Sequence, residues 1–416
     1  MSQPNIKRGR CGSRQGNRLA VKSHALAVRR SRFHGCRPAP RRRALALMTA
    51  ALGLHIAQVA LAVEPDEDVA SRLLEIAGAD SRIHETEHFI IAYGTPFSVL
   101  RPLTGRLEGT YDAVLRFCNE HNLALAPPPS RLQLLLFDDP EEYSEYCATL
   151  GRNGASSSGV YAPEANISAF LNTMRRAEIV QITREIHQAT ARAEEGPGAG
   201  PSAKAARERR KSLLSAATSL RIQRDRLVER FNRFVIQHEA AHQILFNLGI
   251  HQRERENPFW LVEGMACLFE VPQIGAAGTT RQVNHMRLGD FRDALGVPAA
   301  ESTLTEAQYR AALDAARLVP LRALITRQDL FLQPHGDVPF RYAQAWALVY
   351  YLSRERREDF AGYLRRRAAR GTPARLDPEF EVKAFEAAFG GIDAEMERNW
   401  IDFILRLRFD ANQAGR

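Results

Sequence analysis

The chain has 416 residues, 45% hydrophobic and 25% charged, with a formal net charge of +9. That composition excludes a disordered, collagenous or disulfide-stapled chain, and the length leaves room for two or three domains. The positive charge points to no nucleic-acid partner once it is located: residues 1–62 carry 13 Lys or Arg and no acid, and the remainder holds 44 basic against 48 acidic residues.

Residues 1–62 have the layout of an export signal. Basic residues end in Arg41-Arg42-Arg43, an apolar run follows from Ala44 to Ala62, and Ala60-Leu61-Ala62 is a small-residue cleavage pattern. The run is 19 residues, close to the length of a membrane span. It is rich in Ala and contains Thr49, His55 and Gln58, so cleavage and export are expected. The alternative is an uncleaved anchor over 44–62, the one membrane contact anticipated. Cys11 and Cys36 lie in this leader. Cys118, Cys147 and Cys267 remain, with no metal-ligand spacing among them. Three buried thiols are expected, in preference to a single Cys118–Cys147 bridge.

Residues 63–173 read as an α/β subdomain. Asp66–Ala77 is helical, His88–Gly94 a strand, Val99–His121 a helix, Arg131–Phe137 a strand and Pro140–Leu150 a helix. Ser158–Leu171 reads as paired strands turning at Pro163–Asn166. Residues 174–232 form an inserted helical hairpin. Met174–Glu195 carries Ile179, Ile182, Ile186 and Ala189 on one stripe. Gly196–Ser202 breaks it, and a second helix from Ala203 repeats Leu213, Leu220, Leu227 and Phe234 every seven residues. The hairpin is expected to be a solvated structural arm, with a cover over the cleft or a contact for a partner as the alternatives.

Residues 233–352 contain the chemistry. His238-Glu239-Ala-Ala-His242 sits in a helical pattern that Gly249 ends. Positions four apart share a helix face, so both imidazoles can grip one metal ion, and zinc favours such ligands. Glu239 is placed to take a proton from a water held there. A catalytic site needs a third ligand and an open position. Glu263 is the candidate, in a second helix starting near Phe259 after the polar loop His251–Pro258. Thr305–Arg317 and Pro320–Thr326 are further helices, Leu330–Phe340 a loop, and a helix containing Tyr342 follows. Residues 353–416 complete a helical carboxy-terminal part: Asp359–Ala369, Asp377–Phe389 and Asp393–Phe409, with Trp400 and Phe403 in the core.

His238-Glu-x-x-His242 followed by Phe259-Trp-Leu-Val-Glu263-Gly264 and Glu270 resembles the gluzincin metallopeptidases. The pattern is similar to the core of the aminopeptidase family related to leukotriene A4 hydrolase, with Val262 in place of that family's asparagine. The resemblance implies a zincin-like α+β fold in which a small mixed sheet precedes the metal helix, with one zinc ion held by His238, His242 and Glu263. It implies that Glu270 supports a ligand from behind and that Tyr342, heading Tyr342–Leu352, stabilises the tetrahedral intermediate. It also implies that substrate backbone adds to a sheet edge, either Ser158–Tyr161 or Ile167–Phe170. The plain readings of the same residues are a core tyrosine, a solvated helix carboxylate at Glu270 and an ordinary internal strand. The family's glycine-x-methionine-glutamate-asparagine element is missing, so aminopeptidase specificity is not expected. The whole chain resembles a bacterial family of secreted proteins of unknown function with a peptidase-like core.

The expected function is an exported zinc-dependent peptidase or amide hydrolase acting on a peptide or protein. The alternatives are a non-catalytic envelope protein that keeps the fold, and an enzyme acting on a non-peptide substrate. Glu239 argues against the first, since a purely structural zinc site has no use for a general base.

Overall fold

Five strands build the sheet: β1 (Arg82–Glu85), β2 (Phe89–Tyr93), β3 (Leu132–Phe137), β4 (Gly159–Ala162) and β5 (Ile167–Leu171). In this computed structural model the described residues are 66–78, 80–125, 127–154, 157–195, 203–271, 282–332, 338–369 and 375–414. They belong to one unit, Leu61–Arg416. The leader and the Gly196–Ser202 break lie outside the described residues.

The strand order is β1-β2-β3-β5-β4. β2, β3 and β5 run parallel, and β1 and β4 close the two edges antiparallel. Residues in β2, β3 and β5 are buried throughout, as expected where both faces are covered. The period of two divides them. Ile90, Ala92, Leu135 and Ala169 join one core with Val69, Leu73 and Tyr143; Phe89, Ile91, Leu134 and Phe170 join the larger core.

The helices before the site are α1 (Asp66–Ala77), α2 (Phe97–Glu120), α3 (Pro140–Thr149), α4 (Ala177–Glu194) and α5 (Ala203–Phe231). Helices α4 and α5 pair as the expected hairpin. Its stripe is only partly buried: Ile179 and Ile186 are covered, while Leu213, Leu220 and Leu227 are half-buried. After the hairpin come α6 (His238–Asn247), α7 (Phe259–Leu268), α8 (His285–Leu295), α9 (Glu306–Asp314), α10 (Leu321–Thr326) and α11 (Val338–Glu355). Helices α12 (Arg357–Ala368), α13 (Pro378–Phe389), α14 (Ala394–Leu405) and the short α15 (Ala411–Ala414) complete an α+β fold. Trp400 is fully buried and Phe403 packs partly buried against the core. No described helix is long and apolar enough to cross a membrane.

Several boundaries differ from the sequence reading. β1 was not anticipated, because Arg-Ile-His-Glu lacks an apolar alternation. Helix α8 lies where the chain turns helical after Glu270, although the sequence set no bounds for it. The segment read as a loop up to Phe340 has a 3-10 turn at Gln328–Phe331, and α11 already starts at Val338. Pro339 does not prevent this, since a first-turn proline gives up no intrahelical bond. Cys118, Cys147 and Cys267 are buried free thiols, so the Cys118–Cys147 bridge is not formed.

Candidate metal centre

Helix α5 runs into α6 through a π turn, Asn232–Gln237, so the inserted hairpin is continuous with the helix that carries both histidines. Ile236, Ala240, Ala241, Ile244 and Leu245 bury one face of this segment in the larger core. Polar contacts fix its position on the sheet. Ser168 Oγ donates to Gln243 Oε1 at 2.9 Å, and Gln243 Nε2 donates to the Gln133 carbonyl at 2.8 Å. Gly249, at φ +76°, takes the left-handed conformation that lets the chain leave α6.

Helix α7 returns Glu263 against α6. Its close neighbour is α11, and Gly264 explains how they meet: a Cβ there would lie 2.5 Å from the Ala345 carbonyl oxygen and 2.6 Å from Val349 Cγ2. The residue after Glu263 therefore has no room for a side chain. The same contact brings α11, and with it Tyr342, to the site.

His238 Nε2 and His242 Nε2 lie 3.0 Å apart, and Glu263 Oε2 lies 3.1 Å from the first and 3.3 Å from the second. Three donors on a tetrahedral cation at about 2.0–2.1 Å would stand about 3.3–3.4 Å from one another, so this triangle is close to ion-sized. His238 and His242 are buried and Glu263 nearly so. These three residues could hold a metal ion.

The electrostatics favour a cation at that point. Burial raises the Glu263 carboxyl pKa, but the charge of His242 and hydrogen bonds from both imidazoles outweigh it and hold the group well below its ordinary value. Burial likewise depresses His238, yet its bonds with Cys267, Glu263 and Glu270 lift its pKa well above 6.5. With the imidazoles neutral, the two carboxylates of Glu263 and Glu270 face the one guanidinium of Arg287 that bonds to them, and protonated imidazoles or a bound metal ion offset the difference.

Glu270 is not the solvated helix carboxylate of the plain reading. It lies past the end of α7 and is 1% exposed. Its Oε1 is 2.8 Å from His238 Nδ1. With Nδ1 donating there, loss of the Nε2 proton leaves a lone pair that faces Glu263 and His242, the tautomer a metal needs. Arg287 Nη2 and Nε donate to the two Glu270 oxygens at 2.6 and 2.8 Å, and Asn284 Nδ2 donates at 2.9 Å. Burial raises the Glu270 carboxyl pKa, but the charge of Arg287 and the bonds with His238 and Arg287 hold it at about 2. His238, Cys267 and Glu270 form a second group of metal-binding types. There the guanidinium already supplies the positive charge, and the Cys267 thiol is pushed up by burial to about 11, so the first group is the better ion site.

Sequence reasoning missed Arg287, Asn284 and Gln237. Gln237, fully buried, donates to the carbonyls of Phe269 and Val271, at 2.7 and 2.9 Å, and so clamps the residues on both sides of Glu270. The signal available was a glutamine beside the first histidine, on the apolar side of a helix. Arg287 and Asn284 sit in and at the cap of α8, for which the sequence carried no motif.

Glu239 Oε2 accepts a hydrogen bond from the Tyr161 amide at 2.8 Å. β4 is therefore the edge strand beside α6, as one reading expected, but its outward amides already have partners: Tyr161 with Glu239, and Gly159 with Ser157 Oγ at 3.2 Å. Added backbone would have to displace them. The Tyr342 ring lies 5.8 Å from the His238 ring and also packs, partly buried, against the larger core. Burial, together with the charges of Glu263 and Glu239, raises its hydroxyl pKa well above 10, so it remains a donor.

No curated protein and no solved structure matches the chain. One family model, described as a protein of unknown function (DUF1570), matches residues 234–374, about a third of the chain, spanning His238, Glu239, His242, Glu263, Glu270 and Tyr342.

Proposed function

We propose that the chain is an exported zinc-dependent peptidase or amide hydrolase. The observation that carries this reading is the convergence of His238 Nε2, His242 Nε2 and Glu263 Oε2 into an ion-sized triangle with Glu239 on the same helix. Two imidazoles and a carboxylate suit zinc, and three protein ligands leave its fourth position open. Held by these three residues, a zinc ion would supply Lewis-acid polarisation of a carbonyl and of water. Glu239 takes the proton of the attacking water and passes it to the leaving nitrogen. Tyr342 donates its hydroxyl hydrogen to the oxygen that gains charge, a contribution of about 2–4 kcal/mol. The substrate is a peptide or protein, and export rests on the Ala44–Ala62 run with its Ala60-Leu61-Ala62 end.

The test is Glu239→Gln, assayed on a peptide library against wild type with zinc content measured in both. Retained zinc with turnover down by at least about 10²-fold supports the reading. Unchanged turnover defeats it. A wild type that binds zinc and cleaves nothing favours the non-catalytic alternative.

A further inference from the structure

The Arg287 guanidinium touches more than Glu270. It lies 4.8 Å from the centroid of the Phe234 ring and 5.3 Å from that of Tyr342. Phe234 belongs to the π turn that leads into His238, and Tyr342 to the second turn of α11. One buried side chain from α8 therefore meets three parts of the site: the entry to the metal helix, the carboxylate behind His238, and the tyrosine above it. We propose that Arg287 is a positioning residue that fixes the His238 imidazole through Glu270 and the Tyr342 ring by direct stacking. This rests on the hydrolase reading above.

The physical case is one of geometry. An imidazole can rotate about two side-chain bonds. The Nδ1 contact with Glu270 stops that rotation only if the carboxylate is itself held. Arg287 holds it with two parallel N–H bonds, an arrangement that a planar guanidinium makes and an ammonium does not. Its remaining faces lie against the Phe234 and Tyr342 rings, where the aromatic quadrupole attracts a cation and the attraction is stronger away from water. Moving Tyr342 therefore requires giving up a contact with the group that holds Glu270. The placement of the metal ligand and of the oxyanion donor is coupled through this guanidinium.

Arg287→Lys and Arg287→Met test this in the full chain. The lysine variant keeps a buried cation of similar length and loses the fork, so a thermal melt near wild type shows that folding is intact. Zinc affinity, read by competition with a chromophoric chelator, should fall about 10- to 100-fold in Arg287→Lys and similarly in Glu270→Gln. The double variant should be little worse than either single, because both remove one linkage. A second cycle pairs Arg287→Lys with Tyr342→Phe. Alone, the lysine change should lower kcat more than it raises KM; in the phenylalanine background most of that kcat effect should vanish. Additive effects in both cycles, or wild-type zinc affinity in a folded Arg287→Lys, overturn the role of Arg287 and leave the hydrolase reading in place. A wild type that binds no zinc overturns the hydrolase reading, and the role of Arg287 falls with it.

Discussion

Glu263 Oε2 lies 3.3 Å from His242 Nε2, although the two residues are 21 positions apart and on different helices. At that distance a carboxylate and an imidazole nitrogen share either a proton or a metal ion, and the proposed function takes the second. Purified wild type should therefore carry about one zinc per chain. Glu263→Gln keeps the shape and loses the charge, and its zinc content should drop sharply. Elemental analysis of both proteins decides the point; equal zinc in the variant removes Glu263 from the ligand set.

Tyr342→Phe keeps the ring that Arg287 stacks on and deletes only the hydroxyl. If that hydroxyl meets the charge that develops in the transition state, kcat should fall by about 10²-fold with KM nearly constant. Because burial raises its pKa well above 10, the hydroxyl should act without a titration of its own near neutral pH. Steady-state kinetics on the best library peptide measure this. Full activity would leave the tyrosine a packing residue.

Gly264→Ala sets two effects against each other. A helix interior gains about 1 kcal/mol when Gly becomes Ala. The new methyl would stand 2.5 Å from the backbone oxygen of Ala345, which cannot swing away as a side chain can. Overpacking of this kind costs about 1–3 kcal/mol, so a net loss is expected. Urea denaturation should show a lower midpoint with an unchanged slope, and zinc should bind more weakly as α7 shifts. A stabilised variant would mean that α7 and α11 do not meet this closely.

The metal-free protein should have a distinctive acid limb. Glu270 has its pKa lowered from 4.5 to about 2, with the effect of Arg287 and His238 overcoming that of burial. A folded-state pKa below the unfolded one means stabilisation that is complete above the unfolded value and is lost as pH falls through about 2. Thermal melts from pH 5 down to 2 should show Tm falling. The fall should be shallower in Glu270→Gln, although Glu263, also held low, keeps part of it. Identical limbs in the two proteins would contradict the assignment.

Export makes a simple chemical prediction. If Ala60-Leu61-Ala62 is processed, the protein isolated from its native host begins at Val63. Amino-terminal sequencing reads this directly. An intact leader recovered with membranes would indicate the uncleaved anchor.

The sequence by itself determined the elements whose signal is local. The period of apolar residues placed α1, β2, β3 and the β4–β5 pair within a few residues, since a helix face or a strand face is written in neighbouring positions. The spacing of His238 and His242 put two imidazoles on one face by helix geometry alone, and Gly249 marked the end of that helix. What the tertiary structure decided lies in contacts between elements remote in the chain. The closure of Glu263 onto α6, the reason for Gly264, the burial of Glu270 and the clamps from Gln237 and Arg287 all depend on how α7, α8 and α11 pack. Arg287 shows why. A charged residue inside a helical stretch reads as solvent-facing until a buried carboxylate is brought to within 3 Å of it, and only the packing of α8 against the segment after α7 brings it there.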